Sequence, residues 1–165
     1  MSKRVITLGT WEGKPIEWIV LKEDRDKALV ITKSILFNRS FDNQRSNNGN
    51  MWNNCRLREY LNNEFFNLCF NESEKKRIMN TKISGEEFPE TKDDIFVLSC
   101  DEALHYFNSD AERVSTGIWS LRSKHLDGLQ YTSHVDFNGL VKNRSSSSTY
   151  TDHAYGIRPA MYMKL

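Results

Sequence analysis

Short apolar runs alternate with charged turns in the first part of the chain. The runs at residues 5–9 and 16–21 are rich in β-branched residues, and a turn at 12–15 separates them. A charged turn at 22–27 then leads into a third apolar run at 28–32. Runs of this kind, joined by short turns, are typical of an antiparallel meander. We therefore predict three antiparallel strands here.

The middle of the chain changes to helical spacing. Residues 37–54 are polar and predict a loop, at whose end Asn53 or Asn54 can cap a helix. A second short helix is predicted at 71–79, because its first four residues form a capping box. The apolar stripe of the first helix consists of Leu57, Tyr60, Leu61, Phe65 and Leu68.

Turn signals and a further capping box follow. Residues 83–92 contain Gly and Pro and predict a loop, and residues 94–98 predict a short strand. Ser99 and Glu102 form a capping box that opens another helix. The apolar face of that helix consists of Ala103, Leu104 and Phe107.

The last part of the chain returns to β-type runs. Strands are predicted at 119–123, 129–137 and 156–163, with a short return strand at 140–141. Asn138-Gly139 lies between apolar flanks, which is a strong signal for a hairpin turn.

Together these elements predict one α+β domain over residues 1–165, with antiparallel sheets, two or three short helices and long C-terminal loops. We expect the strands at 4–8 and 157–163 to be neighbours in one sheet. The apolar stripe of the first helix and the apolar faces of the strands should meet in one core. This core should contain Trp18, Leu57, Leu61, Phe65, Phe96 and Trp119.

Composition excludes some classes of partner. Lys and Arg number 23 against 22 Asp and Glu, a net charge of +1, so we expect neither nucleic acid nor membrane as a partner. The chain shows no signal-peptide pattern, which predicts a cytoplasmic location, or a virion-associated one if a phage encodes it. The 3 cysteines predict reduced, mostly buried thiols.

Two arginines follow apolar residues in the C-terminal runs. The guanidinium groups of Arg122 and Arg158 can bind an anionic or sugar ligand through paired hydrogen bonds. The alternative is that they tie loops to backbone carbonyls or to a carboxylate. Trp119 lies an odd number of residues before Arg122, so the two side chains point to opposite faces of a strand, and we expect Trp119 in the core.

The loop at 142–150 is the most ligand-like surface. Its Ser, Asn and Tyr residues supply adaptable hydrogen bonds and a flat contact face, as in antibody paratopes, although a plain flexible loop has the same composition. We predict that the loops around 123–131 and 143–153 bind the ligand. The predicted ligand-binding residues are Arg122, Lys124, Tyr131, Arg144, Tyr150, His153 and Arg158.

Metal and proton-transfer chemistry has weaker support. Asp152 and His153 could join His125 or His134 in such a site, but isolated surface histidines are the commoner case. The turn at 136–139 resembles part of a calcium loop without its remaining oxygen ligands. We therefore expect no metal ion, no cofactor and no catalytic residue.

Four segments, taken in order, resemble an uncharacterised bacterial domain family that is common in gut Firmicutes and their mobile elements. These segments are residues 15–21, 52–62, 119–123 and 156–160. The resemblance implies a C-type-lectin-like fold, distantly akin to formylglycine-generating enzymes and to variable phage receptor-binding domains.

The chain departs from that family and from its distant relatives at several places. Ser120 and Lys124 stand where the family usually has a second aromatic residue and a proline. The calcium-binding triplets of true lectins and the cysteine pair of the formylglycine-generating enzymes are absent from the sequence. The resemblance therefore implies a fold and not an activity.

These patterns favour a non-enzymatic recognition module that binds a protein or a carbohydrate through its C-terminal loops. Two alternatives stay open: an enzyme distantly related to the formylglycine-generating oxidases, and a phage or mobile-element inhibitor of a host protein.

Overall fold

Two sheets of 5 strands each and a separate 2-stranded hairpin form the frame of the chain in this computed structural model, which describes residues 2–45, 51–85, 87–144 and 149–165. The strands are β1 (Val5–Trp11), β2 (Lys14–Asp24), β3 (Lys27–Thr32), β4 (Phe37–Ser40), β5 (Ile78–Met79), β6 (Thr81–Gly85), β7 (Phe88–Asp93), β8 (Trp119–Ser120), β9 (His134–Val135), β10 (Val141–Lys142), β11 (Ala154–Ile157) and β12 (Ala160–Lys164). The helices are α1 (Arg56–Tyr60), α2 (Phe66–Cys69), α3 (Glu72–Lys75), α4 (Cys100–Tyr106) and α5 (Asp110–Arg113), with a 3₁₀ turn at Trp52–Asn54 and a π turn at Leu61–Phe65.

The first sheet is antiparallel and has the order β1-β2-β3-β12-β5. The predicted meander is confirmed, and its first turn holds Glu12 and Gly13 at positive φ, as a two-residue hairpin turn requires. The prediction that the first and last strands are neighbours is wrong. Both lie in this sheet, but β12 pairs with β3 and β5, because the meander leaves β3 with a free edge and places β1 at the far side.

The second sheet has the order β10-β9-β8-β11-β4. Its strands are antiparallel except for β8 and β11, which pair in parallel through Trp119 and Gly156. The predicted turn at Asn138 joins β9 to β10, with Gly139 at a φ of 81°. The polar region 37–54 begins with β4 and not with a loop. Since β4 pairs with a strand far along the chain, no local pattern marks it.

The long strands predicted near the C-terminus form only in part. β8 and β9 are short because neighbouring backbone groups bond elsewhere: the N–H of Arg122 donates to the carbonyl of Leu98 (2.9 Å), and that of Thr132 to Thr149 (2.7 Å). The last run divides at Arg158, so that β11 lies in the second sheet and β12 in the first. The chain thus passes from one sheet to the other where a single strand was predicted.

A π turn displaces the predicted apolar stripe of the first helix. Leu57, Leu61 and Phe65 are buried, but Cys69 takes the next inward position and Leu68 is 70% exposed. A π turn closes i→i+5 hydrogen bonds and uses more residues per turn than an α turn, which rotates the following residues around the axis. The predicted caps are also wrong, since the helix begins after Cys55 without a side-chain cap.

Both predicted capping boxes are present. Asn71 and Glu74 bond each other's backbone at the start of α3, as Ser99 and Glu102 do at α4. α3 nevertheless ends before β5, which forms where the helix was expected to continue. On α4 the predicted apolar face is only partly inward, because Leu104 is 53% exposed.

The region between α3 and α4 was predicted least well. Residues 83–92, expected as a loop, contain most of the β6–β7 hairpin. The strand expected at 94–98 is reduced to one bridge between Phe96 and Ala160. The hairpin is exposed and carries many charged side chains, so its sequence lacks the alternation of apolar and polar residues that marks a strand. Its composition is therefore that of a loop.

The core forms where the helices and strand faces meet. All six residues predicted to be buried together belong to one cluster and are 0% exposed: Trp18, Leu57, Leu61, Phe65, Phe96 and Trp119. The three cysteines are buried and unpaired, as predicted. Burial raises the pKa of the Cys55 and Cys69 thiols to about 12, which keeps both protonated and unreactive.

A buried carboxylate connects the first helix to β7. The side chain of Asp93 is 0% exposed and accepts a hydrogen bond from Nε of Arg58 (2.7 Å). It also accepts from the indole Nε1 of Trp52 (2.8 Å) and the hydroxyl of Thr91 (2.7 Å). These bonds compensate for the desolvation of the charge.

None of the helices within the described ranges has the length and apolar character needed to cross a membrane.

Candidate functional site

Arg122, one of the predicted ligand residues, lies in the interior. It is 5% exposed, and its two terminal nitrogens donate to the two carboxylate oxygens of Glu102, both at 2.6 Å. It also donates to the backbone carbonyl of Val97 (2.7 Å). The guanidinium thus connects α4 to the segment before it. This agrees with the alternative stated above, that the arginine binds a carboxylate and backbone carbonyls of the protein itself.

Arg158 is also internal. It is 2% exposed and donates to the backbone carbonyls of Thr32 and Lys33 at 2.8–3.1 Å. Its guanidinium lies 4.7 Å from the ring centroid of Trp119 and 5.6 Å from that of Phe107. Burial lowers its pKa to about 10, so it remains charged at neutral pH. These contacts link β3 to the residue at which the chain passes from the second sheet to the first. Because Arg122 and Arg158 are both buried, we leave them out of the proposed ligand surface.

Three other predicted residues come together at the surface. The rings of Tyr131 and Tyr150 have centroids 5.2 Å apart, and the ring of His153 lies 5.6 Å from Tyr150. The row continues to Tyr155 at 6.3 Å from His153, and at the other end to His125 at 5.2 Å from Tyr131. The ring of His125 is buried, so we call the other four rings, those of Tyr131, Tyr150, His153 and Tyr155, together with Arg45, the aromatic surface.

Arg45 completes the aromatic surface. Its guanidinium carbon lies 3.8 Å from the ring centroid of Tyr150, a cation–π contact. Nε donates to Asp152 (2.7 Å), which raises the pKa of Arg45 and lowers that of the carboxyl group. A terminal nitrogen donates to Nε2 of His153 (2.8 Å), so this ring nitrogen is the unprotonated one.

Backbone hydrogen bonds hold the aromatic surface in place. Tyr131 and Tyr150 form an antiparallel bridge, and the N–H of Thr151 donates to the carbonyl of Gln130 (2.9 Å). The hydroxyl of Thr151 donates to the carbonyl of Gln44 (2.7 Å), beside Arg45. Loops that are distant in sequence are therefore fixed together beneath the rings.

The two remaining predicted residues, Lys124 and Arg144, lie on exposed loop positions. The backbone N–H of Lys124 donates to the carboxylate of Glu87 (2.8 Å). Their two loops meet where the N–H of Leu126 donates to the carbonyl of Asn143 (2.7 Å). No contact between these two side chains and the aromatic surface is seen within the described residues.

Sequence reasoning missed Arg45 and Tyr155. Arg45 lies in a polar stretch whose composition indicates only a loop, and its partners are more than 100 residues away. Tyr155 lies directly before the last predicted strand, at 156–163, and was not among the predicted ligand residues. A local pattern carries no signal for either residue.

The predicted grouping of Asp152 and His153 with His125 or His134 is not the grouping observed. Asp152 and His153 instead share Arg45 as a partner. Across the described ranges, no three His, Cys, Asp or Glu side chains form a group that could hold a metal ion. Asp136 serves the turn after β9, where its Oδ1 accepts from the N–H groups of Asn138 (2.9 Å) and Leu140 (3.0 Å).

Two buried histidines near the aromatic surface make stability depend on pH. His125 and His134 are 1% and 3% exposed, and burial lowers the pKa of both. His134 Nδ1 donates to the carbonyl of Thr132 (3.0 Å), and His125 Nδ1 accepts from the N–H of Asp127 (3.2 Å). A neutral ring makes the His125 contact, because a protonated Nδ1 cannot accept a hydrogen bond.

The unfolded chain should therefore bind protons that the native protein does not, once the pH falls below about 6.5, the ordinary pKa of histidine. Stability should be complete above this pH and should decrease as the pH falls below it, before most carboxylates are protonated. Thermal unfolding measured above and below about pH 6.5 should show the decrease. His134→Gln should make the decrease smaller, and His105→Gln, at an exposed site, should leave it unchanged. An identical pH profile for His134→Gln and the unmodified protein would contradict this expectation.

The fold and site define a class: an α+β protein with two mostly antiparallel sheets, a tightly buried core and a surface of aromatic rings supported by loops. Residues 25–165 match the model of the family described as Domain of unknown function (DUF6273), and the chain belongs to this family. Comparisons with curated proteins and with solved structures gave no match.

Proposed function

We propose that this protein is a non-enzymatic recognition module that binds a protein or a carbohydrate through the aromatic surface. The observation that carries the proposal is the meeting of Tyr131, Tyr150 and His153, three residues expected to bind ligand, with Arg45 and Tyr155 in one row of rings. Tyrosine and arginine are enriched among residues that dominate binding interfaces.

The physical character of the surface supports recognition. Tyr131, Tyr150 and Tyr155 are half-buried and His153 is exposed, so each of these side chains is at least partly accessible to a ligand. A side chain that is already ordered loses little conformational entropy on binding. The aromatic surface therefore offers flat apolar area with hydroxyl and imidazole groups for hydrogen bonds, which suits either a peptide or a sugar.

We also propose that the scaffold is a C-type-lectin-like fold of bacterial origin. The order of elements supports this: an early meander, helices in the middle, loops in the C-terminal part, and a last strand that returns to the first sheet. A mobile-element protein that inhibits a host factor would need the same kind of surface, so identifying the ligand would decide between the two roles.

A capture experiment with a triple variant tests the function. Immobilised protein should retain a partner from a lysate of its native host, or bind a defined sugar on a glycan array. Replacement of Tyr131, Tyr150 and His153 by Ala should abolish that binding, because a few aromatic anchors dominate most interfaces. EDTA should have no effect on the unmodified protein.

Leu68→Ala is the matched control, since it removes a side chain that is 70% exposed on α2, an element that carries none of the rings. It should bind normally. The triple variant should also keep its circular dichroism spectrum, so that a loss of binding is not a loss of fold. Undiminished binding by the triple variant, or loss of binding in EDTA, would contradict the proposal.

A further inference from the structure

A second arginine lies stacked on a tyrosine beside the aromatic surface. The guanidinium carbon of Arg39 lies 3.7 Å from the ring centroid of Tyr60. In the described part of the chain, the Arg39 side chain makes no hydrogen bond and no ion pair. Its five N–H donors are therefore directed to solvent or to a ligand, while the tyrosine ring holds the group in position.

Arg39 continues the row of the aromatic surface. It lies in β4 directly opposite Tyr155 of β11, and Tyr155 adjoins His153, which in turn binds Arg45. Opposite residues have Cβ atoms about 5 Å apart, and alternate residues of a strand about 7 Å. Arg39 and Arg45 are thus connected through Tyr155 and His153 along one side of the aromatic surface.

Both guanidinium groups are prepared to bind oxyanions. Stacking on Tyr60 and Tyr150 fixes their planes, which reduces the entropy lost when a planar fork of donors engages a carboxylate. Arg45 shares its Nε with Asp152 and a terminal nitrogen with His153, and the other terminal nitrogen makes no contact within the described residues. None of the N–H donors of the Arg39 side chain forms a hydrogen bond within the described residues.

The edge of the sheet favours a peptide as the source of these oxyanions. β4 is the outermost strand, and the N–H of Gly156 donates towards β8, to the carbonyl of Ile118 (2.9 Å). Because bonding direction alternates along a strand, β11 bonds to β4 through Tyr155, and not through Gly156. The backbone groups of Asn38, opposite Gly156, are therefore directed to the open edge, where an extended peptide can pair.

We propose that Arg39 and Arg45 are paired anchors for carboxylates of an acidic, extended segment of a protein partner, which lies along β4. This inference rests on the proposed function and narrows it from any protein or carbohydrate to an acidic peptide. In an extended segment, side chains at alternate positions point to the same face, so acidic residues with this spacing present their carboxylates on one side.

Fluorescence anisotropy with defined peptides tests this inference. The probe is a labelled peptide of alternating Glu and Ser, compared with one of alternating Gln and Ser. The acidic peptide should bind about tenfold or more tightly than its neutral counterpart, and Arg39→Gln and Arg45→Gln should each weaken it about tenfold or more. Arg77→Gln, which removes the same charge at an exposed turn position directly before β5, should leave the affinity unchanged.

Several outcomes would overturn the inference. These are equal affinity for the two peptides, no binding of the acidic peptide, a loss with Arg77→Gln as large as with Arg39→Gln, or displacement of the peptide by stoichiometric inorganic phosphate, which would indicate a phosphate site. One outcome would separate this inference from the proposed function. If a partner captured from lysate no longer binds the triple alanine variant but still binds Arg39→Gln, the inference of an acidic peptide is wrong and the proposed recognition function stands.

Discussion

Asp93→Ala is expected to lower the free energy of unfolding by about 3 kcal/mol, because it removes a fully buried carboxylate whose partner, Arg58, is 28% exposed. The carboxylate is 0% exposed and accepts from Arg58, Trp52 and Thr91. Its removal leaves the guanidinium without its charged partner and the indole N–H without an acceptor in the core. Chemical denaturation monitored by tryptophan fluorescence should measure the change, because Trp52 itself is part of the site.

Asp94→Ala is the matched control for this substitution. The neighbouring Asp94 is only half-buried, and its carboxylate accepts from the exposed side chain of Asn80 (3.1 Å). Its replacement should change stability by less than about 1 kcal/mol. Comparable effects of the two substitutions would show that Asp93 is not the link between the first helix and β7.

Leu61→Ala is expected to destabilise the protein by about 2–5 kcal/mol, since it removes a fully buried side chain and leaves a cavity that the surroundings only partly fill. Leu61 is 0% exposed and begins the π turn. Urea denaturation and thermal unfolding both measure this change, and the slope of the urea transition should stay the same.

Leu68→Ala removes the same side chain from the same helix and should change stability within about 0.5 kcal/mol. The two leucines were both expected in the apolar stripe, but Leu68 is 70% exposed. Equal losses for the two variants would place Leu68 in the core and would contradict the π turn.

Four arginines fall into two groups of environment that the sequence does not distinguish. Arg122 and Arg158 are internal ties between loops and strands, with their donors used by Glu102 and by backbone carbonyls. Arg39 and Arg45 lie on tyrosine rings near the surface and retain unused donors among the described contacts. Burial and partners, and not the surrounding motif, decide which arginines are available to a ligand.

The sequence by itself determined the elements whose signals are local. The antiparallel meander, both capping boxes, the Asn138-Gly139 turn and the six core residues all follow from spacing within a short window. Such signals work because turn conformation and the alternation of apolar positions are set by neighbouring residues. Tyr131, Tyr150 and His153 were predicted as ligand residues from composition, and the structure adds that their rings are neighbours.

Tertiary structure alone decided the pairing of β12 with β3, the strand character of β4, the division of the last strand at Arg158 and the place of Arg45 among the rings. Each depends on a contact between residues far apart in the chain. Cross-strand hydrogen bonds and cation–π stacking form only after the chain has brought these segments together, so no window of sequence contains the partner. The π turn lies within one helix, but its position also depends on the tertiary structure. It keeps Phe65 and Cys69 directed into the core, and Leu68 is therefore exposed to solvent.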